Sequence, residues 1–94
     1  MNGPVIIRRD VRLKIAQGLH IRACKNVTAL VISYGGPVRI HFGDKSADAS
    51  SMFDLIQLAA MPGSELVIEA GGEDAERILD QLELLLSSEE LPVE

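Results

Sequence analysis

The spacing of apolar residues changes period early in the chain, and that change limits what it can fold into. Val11, Leu13 and Ile15 alternate with Arg12 and Lys14, the period of two that marks a half-buried strand. Gln17-Gly18 ends that run. From Arg22 to Tyr34 the apolar positions Val27, Leu30, Val31 and Tyr34 recur at steps of three and four, one face of a helix. Gly35-Gly36-Pro37 stops the helix, with glycine just past the end and proline beyond it.

The same reasoning carries to the C-terminus. Val38, Ile40 and Phe42 alternate with Arg39 and His41, a second strand. Gly43-Asp44 suits a tight hairpin, and Lys45 to Ala49 forms a short, polar returning strand of the kind found at sheet edges. Ser50-Ser51 followed by Asp54 has the form of a helix start, with hydroxyl caps and an acid in the first turn. Met52, Leu55, Ile56 and Ala59 mark a short helix that Met61-Pro62-Gly63 ends. Leu66, Ile68 and Ala70 share one face of a fourth strand, broken by Gly71-Gly72. From Glu73 to Ser87, residues Ala75, Ile78, Leu79, Leu82, Leu85 and Leu86 form the stripe of a last helix. The order is β-α-β-β-α-β-α. The hairpin demands antiparallel pairing, and three amphipathic helices cover one face of the sheet. The expected class is α+β, an open-faced sandwich with a four-stranded antiparallel sheet.

Ninety-four residues make one domain, 1–94, with a core over about 8–88 and an acidic, frayed tail over 89–94. Tyr34, Phe42 and Phe53 are the only aromatic residues, so the core must be aliphatic. The net charge of −5 argues against broad nucleic-acid binding, which needs a cationic surface. The basic residues Arg8, Arg9, Arg12 and Lys14 read largely as the exposed face of a strand. Cys24 is the only cysteine, which rules out an intramolecular disulfide and any multi-thiolate metal site, and fits a cytoplasmic protein. His20 and His41 make no recognisable metal site. No long apolar run suggests membrane insertion.

Chemistry concentrates in Gly18-Leu19-His20-Ile21-Arg22-Ala23-Cys24. Here the strand period ends and the helix period begins, so His20 stands beside the N–H groups of a helix start, an anion site. An imidazole nucleophile with a neighbouring guanidinium suggests a residue that carries a phosphoryl group. A histidine at such a boundary also serves as an ordinary cap or a partly buried polar group.

Gly18-Leu19-His20-Ile21-Arg22, in this element order, resembles the HPr family, the histidine-containing phosphocarriers of the bacterial phosphotransferase system. Lys45-Ser46, Ser51-Met52-Phe53 and Pro62-Gly63-Ser64-Glu65-Leu66-Val67-Ile68 are similar to further family segments, and the resemblance covers roughly residues 8 to 91. It implies a phosphocarrier, not a turnover enzyme, that accepts a phosphoryl group from enzyme I and passes it to a IIA-type domain. His20 would be the carrier, on Nδ1, and Arg22 the phosphoryl partner. The backbone N–H groups of Ala23 and Cys24 would hold a third oxygen, with no metal or cofactor required. Ser51 would be the regulatory serine, a substrate for a serine kinase/phosphorylase, and Met52, Phe53 and Asp54 would lie in the docking surface. A monomer is the simplest expectation for a carrier that must leave its partners.

Three positions depart from the family. Ala23 stands where proline is usual, Ile21 where the residue is usually small, and Asp54 where glycine is usual. Asp54 adds a negative charge to the docking face. These changes bear on partner choice, and they leave open a regulatory protein controlled by phosphorylation at His20 or Ser51 without sugar transport. For other residues the structural alternatives are plain. Ser51 is also a good N-cap, with Ser50 as its rival. Met52 and Phe53, adjacent on a helix, cannot both face the core. Cys24 near a helix start is either a reactive thiol or, more simply, a small core filler.

Overall fold

The chain runs β1 (Ile6–Arg12), α1 (Ile21–Tyr34), β2 (Val38–Phe42), β3 (Lys45–Asp48), α2 (Met52–Leu58), β4 (Glu65–Gly71) and α3 (Ala75–Leu86) in a computed structural model that describes residues 5–89. The sheet order is β1-β4-β2-β3 and every neighbouring pair is antiparallel. The element order, the four-stranded sheet and the three helices are those the sequence predicts. Beyond Glu89, the acidic tail expected over 89–94 lies outside the described residues. Among the described residues no helix is long and apolar enough to cross a membrane.

β1 is displaced from its expected position. The alternation predicts a strand over Val11 to Ile15, but the ladder ends where Arg12 pairs with Glu65. Beyond it Leu13 N–H still donates to Ser64 at 2.9 Å, whereas Lys14 N–H donates to the Leu86 carbonyl at 2.8 Å. The chain thus peels from β4 towards the C-terminal end of α3, and Leu13 and Ile15 stay buried as it does so. The alternation recorded burial, not ladder membership.

Arg9 hid the first half of the strand. Counted with Ile7 and Val11 it lies on the helix side of the sheet, where its guanidinium pairs with Asp80 and, at 3.1 Å, with Glu83 of α3. Arg9 is therefore not on the open face to which the basic cluster was assigned. The open face carries a row of alternating charge, Arg8, Glu69, Arg39 and Asp48, one residue from each strand in register.

The hairpin between β2 and β3 closes at the Phe42–Lys45 pair, with Gly43 at φ +62°, the left-handed position a two-residue turn needs. The core is aliphatic: Val27, Leu13, Ile15, Ile40, Leu55, Leu58, Leu66, Ile68, Ile78, Leu79, Leu82 and Leu86 are its largest fully buried side chains. Removing a side chain of this size from water stabilises the fold by about 1.5–3 kcal/mol before cavity effects. α1 closes at Gly35 in the left-handed region, its N–H returning to the Val31 carbonyl. α2 ends earlier than expected, at Leu58, because Ala59 turns left-handed before Met61-Pro62-Gly63 is reached.

Candidate phosphoryl site at the start of α1

His20 is the N-cap of α1, with extended backbone (φ −82°, ψ 179°) and no side-chain cap bond. Its main chain is held on both sides. The His20 N–H donates to the Gly18 carbonyl and the His20 carbonyl accepts from Cys24 N–H, each at 2.9 Å. The ring is left half-exposed, and it lines a shallow depression with Ile21, Arg22 and Lys25. Fixed backbone with an uncommitted imidazole is what a nucleophile presented to other proteins requires.

The helix starts at Ile21, one residue before the sequence suggests, and this shifts the available donors. The Cys24 N–H is spent inside the helix on His20 and is not placed to hold a phosphoryl oxygen. Helix geometry instead leaves Ile21 N–H and Ala23 N–H without an intrahelical acceptor. Ala23 is the third helical residue, so a proline there would fall within the first turn without costing an intrahelical bond. The Cys24 side chain is fully buried, its thiol directed 3.6 Å from the Leu19 carbonyl, and burial pushes its pKa up to about 11. It is a core filler at neutral pH.

Lys25 was missed by the motif reading, which stopped at the helix start. Its signal was present: it lies three residues after Arg22, on the same helical face. Arg22 and Lys25 thus give the depression two cationic side chains beside the positive end of α1.

Ser51 caps α2, its hydroxyl accepting from Asp54 N–H at 3.3 Å. Ser50 is engaged differently: its N–H and hydroxyl both donate to Asp48 Oδ1, at 2.9 and 2.7 Å, which holds the Asp48 carboxyl below its usual value. Asp54 faces β3. Its carboxylate accepts from Asp48 N–H at 3.3 Å and lines a recess with Lys45, Ser46 and Gln57. Besides the charge it adds, Asp54 thus ties α2 to β3. The recess is separate from the His20 depression, which Ser51 does not line.

Of the adjacent pair on α2, Met52 packs partly against the core and Phe53 stands 79% exposed. Ile21, Ile56 and Met61 are exposed as well. α2 packs against α1, Ile21 lines the depression beside His20, and the Met61 backbone lies next to Gly18.

Residues 7–88 match the family model described as the PTS HPr component phosphorylation site. The chain is 36% identical to the phosphocarrier protein HPr of Streptomyces coelicolor, covering 89% of this chain and 94% of that protein. It is 32% identical to the phosphocarrier protein HPr of Haemophilus influenzae, covering 83% of this chain and 92% of the relative. In fold it is similar to the crystal structure of an HPr from Bacillus anthracis, with a TM-score of 0.81 over 85% of this chain and 95% of that one, at 24% identity.

Proposed function

This chain belongs to the HPr family of phosphotransferase-system phosphocarriers, and we propose that it carries the phosphoryl group on His20. The observation behind the assignment is the placing of a half-exposed imidazole at the N-cap of α1, in one depression with Arg22 and Lys25.

Transfer is a displacement at phosphorus. The neutral ring keeps its proton on Nε2, and the Nδ1 lone pair forms the new N–P bond as the bond from phosphorus to the donor's leaving atom breaks. The transition state is loose, so alignment and charge neutralisation supply most of the acceleration. Arg22 can fork onto two phosphoryl oxygens, and Ile21 N–H and Ala23 N–H can meet a third. Lys25 adds a second positive charge at the rim. The reverse displacement passes the group on, with the acceptor's nucleophile entering as the N–P bond breaks.

The donor is enzyme I, and the acceptor is a IIA-type domain. Phe53, Ile56, Ile21 and Met61 supply the apolar contact for both. The protein acts in the cytoplasm as a monomer of one domain, and a kinase that modified Ser51 would add charge beside Asp54.

The test is intact-mass measurement after incubation with phosphoenolpyruvate and enzyme I. One phosphoryl group, lost in mild acid and absent in His20→Ala, is expected. An active cognate enzyme I that adds no mass would exclude the carrier role.

A further inference from the structure

The loop that carries His20 leans on the corner following α2. Leu19 N–H, one residue before the histidine, donates to the Ala60 carbonyl at 3.0 Å. Gly18 sits so close to that carbonyl that a Cβ built on it would lie 2.5 Å from the Ala60 oxygen and 3.2 Å from Met61 Cα. Its φ of +73° is a second, independent reason for glycine.

The corner is held in an uncommon backbone state. Ala59 caps α2 at φ 53°, ψ 36°, and is the only non-glycine residue with positive φ among the described residues. Its left-handed turn carries the chain so that Ala60 is buried and its carbonyl meets Leu19. An L-residue is sterically disfavoured in this region and stays there only when its surroundings impose it. Beyond the turn, Met61 and Ser64 bond each other reciprocally, Met61 N–H to Ser64 Oγ and Ser64 N–H to the Met61 carbonyl, both at 3.0 Å. The far side of Leu19 is held by the Cys24 thiol.

We infer that Gly18 and Ala59 are positioning residues for phosphoryl transfer, seating the His20 loop on the Ala60 carbonyl and thereby fixing the imidazole against the start of α1. The inference rests on the carrier reading above. Its physical basis is the sensitivity of in-line displacement to alignment: a misplacement of about 1 Å can cost on the order of a hundredfold in rate. Neither residue touches the phosphoryl group, so both act through His20.

Initial rates of phosphorylation by enzyme I and phosphoenolpyruvate decide the matter, measured over a range of carrier concentrations and below the unfolding transition of every variant. The set is wild type, Gly18→Ala, Ala59→Val, Ala59→Gly and Gly43→Ala. Ala59 is exposed, so valine alters its backbone preference without entering the core. Gly43 has φ +62° and nothing within 4 Å of a built Cβ, so Gly43→Ala imposes a similar backbone cost away from the loop.

Gly18→Ala and Ala59→Val are expected to lower kcat about tenfold or more while KM for the carrier changes less than about threefold. Ala59→Gly and Gly43→Ala are expected to retain the wild-type kcat. If Gly18→Ala does not fold, Ala59→Val decides. Wild-type kcat in the folded loop variants, or an equal loss in Gly43→Ala, would overturn the inference. A wild-type protein that gains no phosphoryl group would overturn the carrier reading instead.

Discussion

The backbone N–H of Asp54 donates to Ser51 Oγ at 3.3 Å, so the Ser51 hydroxyl is the N-cap of α2. The Asp54 carboxylate turns back to accept from Asp48 N–H. Ser51→Ala is therefore expected to destabilise the protein by about 1 kcal/mol, the usual cost of losing a cap, with no loss of phosphorylation on His20. Thermal unfolding checks the first statement and intact mass the second. An unchanged unfolding midpoint would show that the cap bond contributes nothing.

Phe53 separates docking from folding. At 79% exposure its ring makes little contribution to the core, so Phe53→Ala should change stability by less than about 0.5 kcal/mol. If the ring enters a pocket on enzyme I, KM for the carrier should rise about tenfold, equivalent to about 1.4 kcal/mol of binding, with kcat nearly unchanged. Steady-state kinetics would refute this docking role by showing a wild-type KM.

How far such roles could be read from the sequence depended on the length of the pattern that encoded them. α3 was legible because six apolar positions repeat over three turns, and all six are buried. β1 was only half legible. Arg9 breaks the apolar alternation, and the acids that accommodate it, Asp80 and Glu83, lie some seventy residues away on α3. His20 was legible as the candidate carrier because its loop and helix start are local in sequence. The donors around it were not, because one residue's difference in the helix start decides that Cys24 N–H is bonded internally. Asp54 shows the same limit: its place in the helix was clear, but its bond to Asp48 depends on how α2 sits against β3. The left-handed state of Ala59 had no sequence signal, since alanine ordinarily continues a helix.

Acid stability offers a test of the open sheet face. His41 Nε2 lies 2.9 Å from Glu69 Oε1 and Arg8 Nε lies 3.2 Å from the same oxygen. The hydrogen bond with His41 is the main reason the Glu69 carboxyl is held below its usual value, with Arg8 adding to it. A depressed carboxyl pKa stabilises the fold above the unfolded-state value and loses that contribution as the pH falls through the folded-state value. Glu69→Gln should thus flatten the decline in stability below about pH 4, while the part due to Asp48 remains. Because His41 is partly exposed and Arg8 largely so, the effect should stay below about 1 kcal/mol. Urea midpoints at pH 7, 4 and 3 would contradict the assignment if wild type and variant fell in parallel.

Ala59 supplies the opposite kind of test, a substitution expected to stabilise. An L-residue in the left-handed region costs roughly 1–2 kcal/mol relative to an ordinary conformation. Glycine removes that steric cost, but its more flexible unfolded chain loses more entropy on folding, by about 0.5–1 kcal/mol. The first effect is the larger, so Ala59→Gly should gain up to about 1 kcal/mol. For a domain of this size that corresponds to a rise of a few degrees, about 4 °C or more at the upper end, in Tm. The exposed Ala59 methyl has little packing to lose, so nothing else should offset the gain. A fall in Tm would mean that the corner does not impose the left-handed state, and that the Ala60 carbonyl meets Leu19 without strain in the turn before it.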